Sequence, residues 1–403
     1  MRILHVEMTS AGGLYQFGVE LCNALAAEGH EVHLMTGTHP EVQPSAAVQT
    51  HDVLPTWHPA SGTRVSDARR RLQRTVRGAR YAKAWSHVAA QARAIDPDVI
   101  VVGNLALLLD GVAVLALGRS RSIVVQLAHT PAPLSWRRGT GYNDLHKKGR
   151  VFDRVIASAY RRIDVPVVLG QQSAQELRAR WPTARPACVV PHGAVSHFDD
   201  SVAPVETTEP VALFFGSWSR YKGLEILLEA WAEVHRRVPA ARLVVAGAVT
   251  KDADEAMLGR LAARAGGVEL CPGYVESKDV PGLFSAARVV VTPYIVANRS
   301  GVIALARARG RAVVTSDAGD LGSTVDDGVD GFVVARGDPI ALADALVQLL
   351  NDPDLAASFG RAARRRSATE PSWDEAARLI TTAARGAGAG MGLTGSDVTR
   401  SAR

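Results

Sequence analysis

The sequence predicts an α/β protein made of two doubly wound, Rossmann-like domains that face each other across a cleft. At 403 residues the chain is too long for one ordinary hydrophobic core. Short β-branched runs alternate with helical patterns in both halves, which is typical of a parallel sheet covered by helices. A polar, acidic stretch at 199–210 interrupts this alternation, and we expect it to be the linker between the domains.

The first domain, expected at 1–198, begins with the clearest unit. A strand at 3–6 is followed by a turn at Gly12-Gly13 and by a helix whose apolar residues recur at helical spacing until Gly29. Further strands are expected at 31–35, 99–102, 123–127 and 165–169.

The second domain, expected at 211–370, repeats the pattern. Strands are expected at 211–215, 243–246, 289–292, 312–315 and 331–334. Helices are expected near 223–237, 254–265, 302–309 and 339–351. The last residues, 386–403, are rich in Gly, Ala, Ser and Thr, and we expect them to be disordered.

Bulk composition narrows the functional class. The net charge of +6 is modest for this length, so a charged partner has to be argued from where the charge lies. The three cysteines match no metal spacing, and their odd number argues against a disulfide framework. No signal peptide is recognisable, and the longest apolar run, 105–117, is interrupted by Asp110 and Gly111. A cytoplasmic protein is therefore expected.

Three turns follow predicted strands at the edge where open α/β sheets bind ligands. The first contains Gly12 and Gly13, which let the backbone approach a ligand closely, although a simple tight turn explains them equally well. These glycines lack the spacing of the dinucleotide fingerprint, and no acid ends the second strand, which disfavours a nicotinamide enzyme.

The second turn, 216–223, reads Gly-Ser-Trp-Ser-Arg-Tyr-Lys-Gly. Its Arg220 and Lys222 lie where a diphosphate would meet the N-terminus of the following helix. Cations near that helix end oppose the helix dipole, so their presence favours an anionic ligand. Two solvated surface cations are the alternative.

The third turn contains Asn298, Arg299, Ser300, Gly301 and Val302. Ser300 is suited to cap the helix that follows. The amides of Gly301 and Val302 would then face a phosphate or a sugar hydroxyl. A helix cap without a ligand is the alternative.

Together these residues resemble glycosyltransferase family 4, a group of retaining, metal-independent enzymes with the GT-B fold. The likeness covers nearly the whole chain. It is carried by the Gly-Gly loop with ALAAEGHEVHLMTG, by VVPHG at 189–193, by FFGSWSRYKGLEILLEA at 214–230, by YIVANRSGVIALARARGRAVVTSDAGDLG, by DDGVDGFVV, and by PSWDEAARLI at 371–380.

The resemblance implies a nucleotide-sugar donor, linked to UDP, GDP or dTDP, and no metal or other cofactor. Arg220 and Lys222 would neutralise the donor diphosphate, which is the leaving group. The other residues implied at the diphosphate are Gly12, Gly13, Ser300, Gly301 and Val302.

The same resemblance implies residues near the transferred sugar. His129, in LAHTPAP, matches the family's active-site histidine and would join Arg220 and Lys222 as a catalytic residue. The remaining residues implied at the sugar are His192, Gly193, Asn298 and Arg299. The first domain would be the acceptor side, and a helix at 371–385, which contains Trp373, would cross back onto it.

One departure from the family concerns its two glutamates, which stand eight positions apart. Here the aligned residues are Ala297, or Val296 with a one-residue shift, and Leu305, and no carboxylate remains within 289–311. Ligand hydroxyls that those carboxylates would bind are left without partners. A catalytically impaired relative, acting as a nucleotide-sugar-binding or regulatory partner, is therefore the alternative function. A nucleotide-sugar epimerase is a third and weaker alternative function.

Two basic segments lie in the first half, at 64–93 and at 136–150. A solvated helix face explains them most simply, and contact with the anionic inner face of a membrane is the next alternative. Attraction of a phosphorylated acceptor is the third. Nucleic-acid binding is not expected, because no motif for it occurs. The acceptor stays open between a lipid-linked glycan, a small polyol and a natural product.

Overall fold

The structure, a computed structural model, describes residues 1–55, 67–118, 121–130, 149–193, 204–297, 299–369 and 371–389, and only the backbone of 67–75. The described residues divide into two compact units. Residues 1–192 and 371–389 form the first unit, and residues 193–369 form the second.

The first unit contains a seven-stranded parallel sheet. In chain order its strands are β1 (Arg2–Val6), β2 (Glu31–Gly37), β3 (Val48–Leu54), β4 (Val99–Val102), β5 (Ile123–Leu127), β6 (Val165–Val168) and β7 (Cys188–Val189). Their order across the sheet is β3-β2-β1-β4-β5-β6-β7. The helices between them are α1 (Gly13–Ala27), α2 (Asp67–Ile95), α3 (Leu108–Leu117), α4 (Arg150–Tyr160) and α5 (Gln171–Arg180).

Both faces of this sheet are buried, as the continuous apolar strands predict. Ile3 of β1 packs on the face that also holds Phe17 of α1. Its neighbour Leu4 points to the opposite face and packs with Val114 of α3 and Ile156 of α4. Alternation along one strand therefore builds two hydrophobic layers.

The second unit contains a six-stranded parallel sheet. Its strands are β8 (Val211–Phe215), β9 (Arg242–Gly247), β10 (Val268–Pro272), β11 (Val289–Thr292), β12 (Ala312–Ser316) and β13 (Gly331–Val334). Their order is β10-β9-β8-β11-β12-β13. The helices are α6 (Leu224–Arg237), α7 (Glu255–Ala265), α8 (Val280–Ala286), α9 (Gly301–Ala308), α10 (Pro339–Asn351) and α11 (Pro353–Thr369). Trp231 of α6 and Leu346 of α10 are fully buried in its core.

The last described helix, α12 (Trp373–Gly388), belongs to the first unit. Its Trp373, Ala376 and Ile380 are buried in the hydrophobic layer that contains Phe17. The helix extends to Gly388, which corrects the predicted end at 385 and the predicted start of a disordered tail at 386. Ala383 and Ala384 continue the buried face and keep the last turn helical. Residues 390–403 of the predicted tail lie outside the described residues.

The described part of the predicted linker, 204–210, is packed rather than free. Val205 begins a short 3-10 turn and is buried in the core of the second unit. The guanidinium of Arg288 donates to the carbonyl of Thr208. The first unit ends at His192, earlier than the predicted 198, and residues 204–210 belong to the second unit. Residues 199–203 of that linker lie outside the described residues.

Each sheet has one point where the order of its strands reverses direction. In the first sheet it lies between β1 and β4, and in the second sheet between β8 and β11. We call these the first and the second switch point. In doubly wound sheets, ligands bind beside the carboxyl ends of the strands at such a point.

Candidate functional site

The loop that follows β8 forms one side of the second switch point. Arg220–Lys222 make a 3-10 turn, and Gly223 then adopts a left-handed conformation with φ of 69° before α6 begins. A Cβ at Gly223 would overlap the carbonyl oxygen of Pro293, in the loop after β11. The amide of Ile295 donates to the carbonyl of Tyr221 at 2.8 Å. The two loops of the switch point are therefore joined by a hydrogen bond and by close backbone packing, and only glycine fits at 223.

Lys222 points back across this loop. Its Nζ lies 5.1 Å from the centre of the Tyr294 ring and would be 2.7 Å from a Cβ at Gly216. Burial lowers the pKa of its ammonium, Tyr221 raises it to a smaller extent, and no carboxylate of the described residues contributes. Burial thus disfavours the charged form of Lys222, and an anionic ligand at the second switch point would restore it.

Arg220 is held through its backbone and through its side chain. Its amide donates to Oδ2 of Asp252 at 3.0 Å, and its Nε lies 3.7 Å from Oε1 of Glu225. Sequence reasoning overlooked both acids. Glu225 falls in the first turn of α6, and Asp252 follows the carboxyl end of β9. Their places beside a predicted helix and a predicted strand could have indicated that they lie near the cationic turn.

The loop after β11 supplies the other side of the second switch point. Burial raises the pKa of Tyr294 to about 12, so its hydroxyl stays protonated near neutral pH, and it lies 3.4 Å from Oγ of Ser300. Ser300 occupies the N-cap position of α9, but its side chain makes no capping hydrogen bond. The predicted cap is therefore wrong, since the Ser300 hydroxyl lies beside Tyr294 instead. The helix opens at Gly301, one residue before the predicted start at Val302.

Two further predicted residues lie before α9. Arg299 is partly exposed, and Asn298 lies outside the described residues. The positions where the family has glutamates hold apolar contacts. Ala297 packs against the core of the second unit, and Leu305 is buried within it.

The loop after β1 belongs to the first switch point. Gly12 has φ of 84° and precedes α1, whose first residue is the exposed Gly13. The Gly12 amide donates to Oε2 of Glu41 at 2.8 Å. A protein carboxylate thus occupies the place that the sequence suggested for a ligand phosphate.

His129 and His192 both pack edge-on against the ring of Phe17 in the first unit. Their ring centres are 4.7 Å and 5.5 Å from that of Phe17, and His192 is 5.5 Å from Trp373. Burial lowers the pKa of His129 to about 3, with smaller contributions from His192 and His5. His129 is therefore a neutral hydrogen-bonding group near pH 7. The structure brings these two predicted residues together, while Gly193 belongs to the second unit.

The first switch point also contains an acid that sequence reasoning overlooked. Glu7 directly follows β1 and is 8% exposed. Its Oε1 accepts hydrogen bonds from the amide of Thr9 at 3.1 Å and from the Thr9 hydroxyl at 2.9 Å. Burial raises the pKa of the carboxyl, and the hydrogen bonds lower it by less. An acid immediately after the first predicted strand was the available signal.

The described residues contain no group of three or more His, Cys, Asp or Glu residues placed to hold a metal ion. No helix in them is both long enough and apolar enough to cross a bilayer. Of the predicted basic segments, Arg77, Arg80, Lys83 and Arg93 are exposed on α2. The side chains at 64–75 and the residues at 136–148 lie outside the described part.

Two family models match the chain and together span most of it. The model described as Glycosyltransferase Family 4 matches residues 11–195, and the model described as Glycosyl transferases group 1 matches residues 209–352. The first match lies in the first unit up to His192, and the second lies in the second unit.

Curated relatives match over shorter stretches. A D-inositol 3-phosphate glycosyltransferase of Corynebacterium jeikeium is 33% identical over 175 residues, 41% of each chain. An α-maltose-1-phosphate synthase of Mycobacterium tuberculosis is 33% identical over 180 residues, 42% of this chain and 46% of the relative. This chain thus aligns with less than half the length of these relatives.

Solved structures match over nearly the full length. Sucrose-phosphate synthase from Thermosynechococcus elongatus has a TM-score of 0.72 at 20% identity, with 96% of this chain and 99% of that chain covered. Anabaena Alr3699/HepE in complex with UDP-glucose has a TM-score of 0.66 at 16% identity, with 95% and 99% covered. WaaG, a glycosyltransferase involved in lipopolysaccharide biosynthesis, has a TM-score of 0.66 at 17% identity, with 94% and 98% covered. At these identities the likeness shows the fold.

Proposed function

The chain belongs to glycosyltransferase family 4 and has the GT-B fold, and from this premise we propose that it transfers a sugar from a nucleotide-diphosphate sugar to an acceptor hydroxyl. The acceptor oxygen forms a bond to the anomeric carbon while the bond from that carbon to the diphosphate breaks. The acceptor proton leaves with the departing phosphate. Solved neighbours that hold UDP or UDP-glucose support a nucleotide-sugar donor.

The pair of cations at the second switch point carries this proposal. Lys222 is held in a poorly solvated place, no carboxylate of the described residues contributes to its pKa, and Arg220 precedes it in the same turn. Negative charge develops on the diphosphate as the sugar leaves, and fixed positive charge in such surroundings stabilises it strongly. The amides of Gly301 and Val302 would add donors at the start of α9. A metal ion is then not needed to neutralise the leaving group.

We propose that transfer retains the configuration at the anomeric carbon, as the family resemblance implies. The acceptor would attack from the face on which the diphosphate departs, and that phosphate would take its proton. His129, being neutral, would form a hydrogen bond with the transferred sugar, and His192, Gly193, Asn298 and Arg299 would lie nearby. Gly12 would reach the diphosphate only if its amide were released by Glu41.

The acceptor and the location of the enzyme are also proposals. The first unit would receive the acceptor, a lipid-linked glycan or a small hydroxyl compound. The exposed cations of α2 would allow the protein to rest on the anionic inner face of a membrane in the cytoplasm.

One observation favours the alternative of an impaired, nucleotide-sugar-binding relative. Leu305 is buried in the core and Ala297 packs against it. Neither side chain can accept a hydrogen bond from a hydroxyl of the ligand. Binding of a nucleotide without turnover of any donor would support this alternative.

A thermal-shift screen of UDP, GDP and dTDP tests the donor site and identifies the base. A ligand that binds the native state raises the melting temperature, and we expect one of the three to do so. Lys222→Ala should remove the shift, whereas Lys278→Ala, at an exposed lysine paired with Glu276, should keep it. A full shift in Lys222→Ala would contradict the proposed diphosphate site.

A further inference from the structure

His129 lies between two hydrogen bonds that fix the chain on either side of it. The amide of Ala128, the residue before it, donates to the carbonyl of Val167 in β6 at 2.7 Å. The amide of Thr130, the residue after it, donates to Oδ1 of Asn104, in the loop after β4, at 3.1 Å. Because β5 lies between β4 and β6 in the sheet, the backbone around His129 is attached to both neighbouring strands or their loops.

The two hydrogen bonds differ in origin. The bond from Ala128 continues the backbone ladder between β5 and β6, so every residue except proline would make it at that position. On the other side, the ladder between β4 and β5 ends at Val102 and Gln126. Beyond that end the connection is made by the side chain of Asn104, and it therefore depends on the residue at 104.

The ring of His129 is held from a third direction. It packs edge-on against Phe17 of α1, with ring centres 4.7 Å apart. The direction in which a side chain leaves the backbone is set by the backbone on both sides of it. A shift of the chain at Thr130 would therefore turn the His129 ring relative to Phe17.

The loop that carries Asn104 is itself anchored to α2. The amide of Leu107 donates to Oδ2 of Asp110 at 2.6 Å. The hydroxyl of Tyr81 and Nε1 of Trp85, both on α2, donate to Oδ1 of Asp110 at 2.5 Å and 3.2 Å. Asp110 is buried, so water competes poorly for these hydrogen bonds. Asn104 thus presents its oxygen from a fixed backbone.

We infer that Asn104 is a positioning residue that holds His129 in the orientation needed at the transferred sugar. The inference rests on the proposed function, in which His129 forms a hydrogen bond with that sugar. Asn104 acts through the amide of Thr130 and needs no contact with the ligand. Small displacements of a group that must meet a reacting molecule slow the reaction strongly.

Three variants separate positioning from a general loss of stability. Asn104→Ala removes the acceptor oxygen, whereas Asn104→Asp keeps an oxygen for the Thr130 amide. Asn23→Ala is the matched control, because Oδ1 of Asn23 likewise accepts a hydrogen bond from a backbone amide, that of Ser45, at 2.8 Å in the same unit.

NMR of the whole chain, labelled with 15N-threonine and 13Cε1-histidine, tests the geometry without a ligand. In Asn104→Ala we expect the Thr130 amide to exchange about tenfold faster and the ring signal of His129 to shift. Asn104→Asp and Asn23→Ala should leave both close to wild type. An unchanged His129 signal in Asn104→Ala, or an equal change in Asn23→Ala, would overturn the inference.

Hydrolysis of UDP-glucose, GDP-glucose and dTDP-glucose tests the consequence for the reaction. For the donor that is hydrolysed, kcat should fall about tenfold in Asn104→Ala, with KM within about twofold, and Asn104→Asp should restore most of it. In the background of His129→Ala, Asn104→Ala should cause no further loss. A further loss there would overturn the inference, since Asn104 would then act by another route. A wild type that hydrolyses none of the three donors contradicts the proposed function, while the NMR result decides on Asn104 independently.

Discussion

The two switch points share one topology but present opposite kinds of ionisable side chain, basic at the second and acidic at the first. At the second, Arg220 and Lys222 lie on a loop that is fastened to its neighbour through Gly223 and Ile295. At the first, Glu7 is buried beside Gly103, the residue after β4, and the carboxylate of Glu41 accepts a hydrogen bond from the amide of Gly12. The sheet order thus provides the binding edge in both units, while the loop residues decide which ligand each edge attracts.

The largest expected effect is a loss of stability when the glycine of each loop is replaced by alanine, and it should differ between the two loops. Gly223→Ala combines strain at a positive φ with overlap of Pro293, and it should destabilise the second unit by about 3 kcal/mol or more and abolish nucleotide binding. Gly12→Ala has φ of 84° and ψ of 178°, a region that essentially only glycine adopts, but no atom of the described residues lies within 4 Å of the new Cβ. Backbone strain alone should therefore cost about 1–3 kcal/mol. Urea unfolding followed by circular dichroism measures both. Equal losses would show that the second loop is no more tightly packed than the first.

The next effect concerns pH and the first unit. His5 of β1 is fully buried, its ring nitrogens have no hydrogen-bond partner among the described residues, and burial lowers its pKa to about 4. The unfolded histidine binds a proton below its ordinary value of 6.5, while the folded one does not until about 4. Stability should therefore fall as the pH is lowered from 6.5 to 4, by up to about 1.4 kcal/mol per pH unit from this group.

Urea unfolding between pH 4 and pH 7 tests this slope. His5→Leu should flatten it, although His129 keeps a part of it because its pKa is lowered to about 3. His39→Asn is the control, since His39 is exposed and asparagine tolerates its φ of 62°. A slope in His5→Leu as steep as in wild type would contradict the account.

A smaller effect is expected at Asp252, which accepts a hydrogen bond from the amide of Arg220. Asp252→Ala should loosen the cationic turn and weaken nucleotide binding about fivefold, or about 1 kcal/mol. Asp254→Ala, which removes the N-cap of α7, should cost similar stability without changing nucleotide affinity. Calorimetric titration separates the two, and equal nucleotide affinities would exclude a positioning role for Asp252.

The smallest expected effect is a gain in nucleotide affinity. Glu225 lies 3.7 Å from Arg220 and competes with a diphosphate for its charge. Glu225→Gln should therefore tighten nucleotide binding about two- to threefold, because a partly exposed ion pair contributes little. Glu229→Gln, one turn further along α6, is the control. Weaker binding in Glu225→Gln would mean that Glu225 orients Arg220 for the ligand.

The central strands were predictable from the sequence. The bounds of β4, β5, β8 and β11 agree with the prediction, because strands buried on both faces are nearly continuous apolar runs. Those of the partly buried edge strand β13 agree as well. The outer strands β3 and β10 were overlooked, since VQTHDVL and VELCP mix polar with apolar residues where the sheets are partly exposed. Exposed, charged α2 likewise lacks the apolar spacing that marks a helix.

The candidate site was only partly predictable. The cations at 220 and 222 were recognisable from their place between strand and helix. Their surroundings depend on residues distant in sequence, as Lys222 does on Tyr294 and Glu7 on Gly103. Ser300 was expected to cap α9, and the nearby Tyr294 hydroxyl, invisible to local pattern, explains its different position.

Calorimetric titration of the nucleotide selected by the thermal-shift screen into four variants tests the opposite roles of the two switch points most directly. We expect Lys222→Ala and Arg220→Ala to weaken binding by about tenfold or more, since charge-assisted hydrogen bonds are lost. Glu7→Gln and Gly103→Ala should bind the nucleotide as wild type does. Unchanged affinity in Lys222→Ala, or a tenfold loss in Glu7→Gln, would contradict the account.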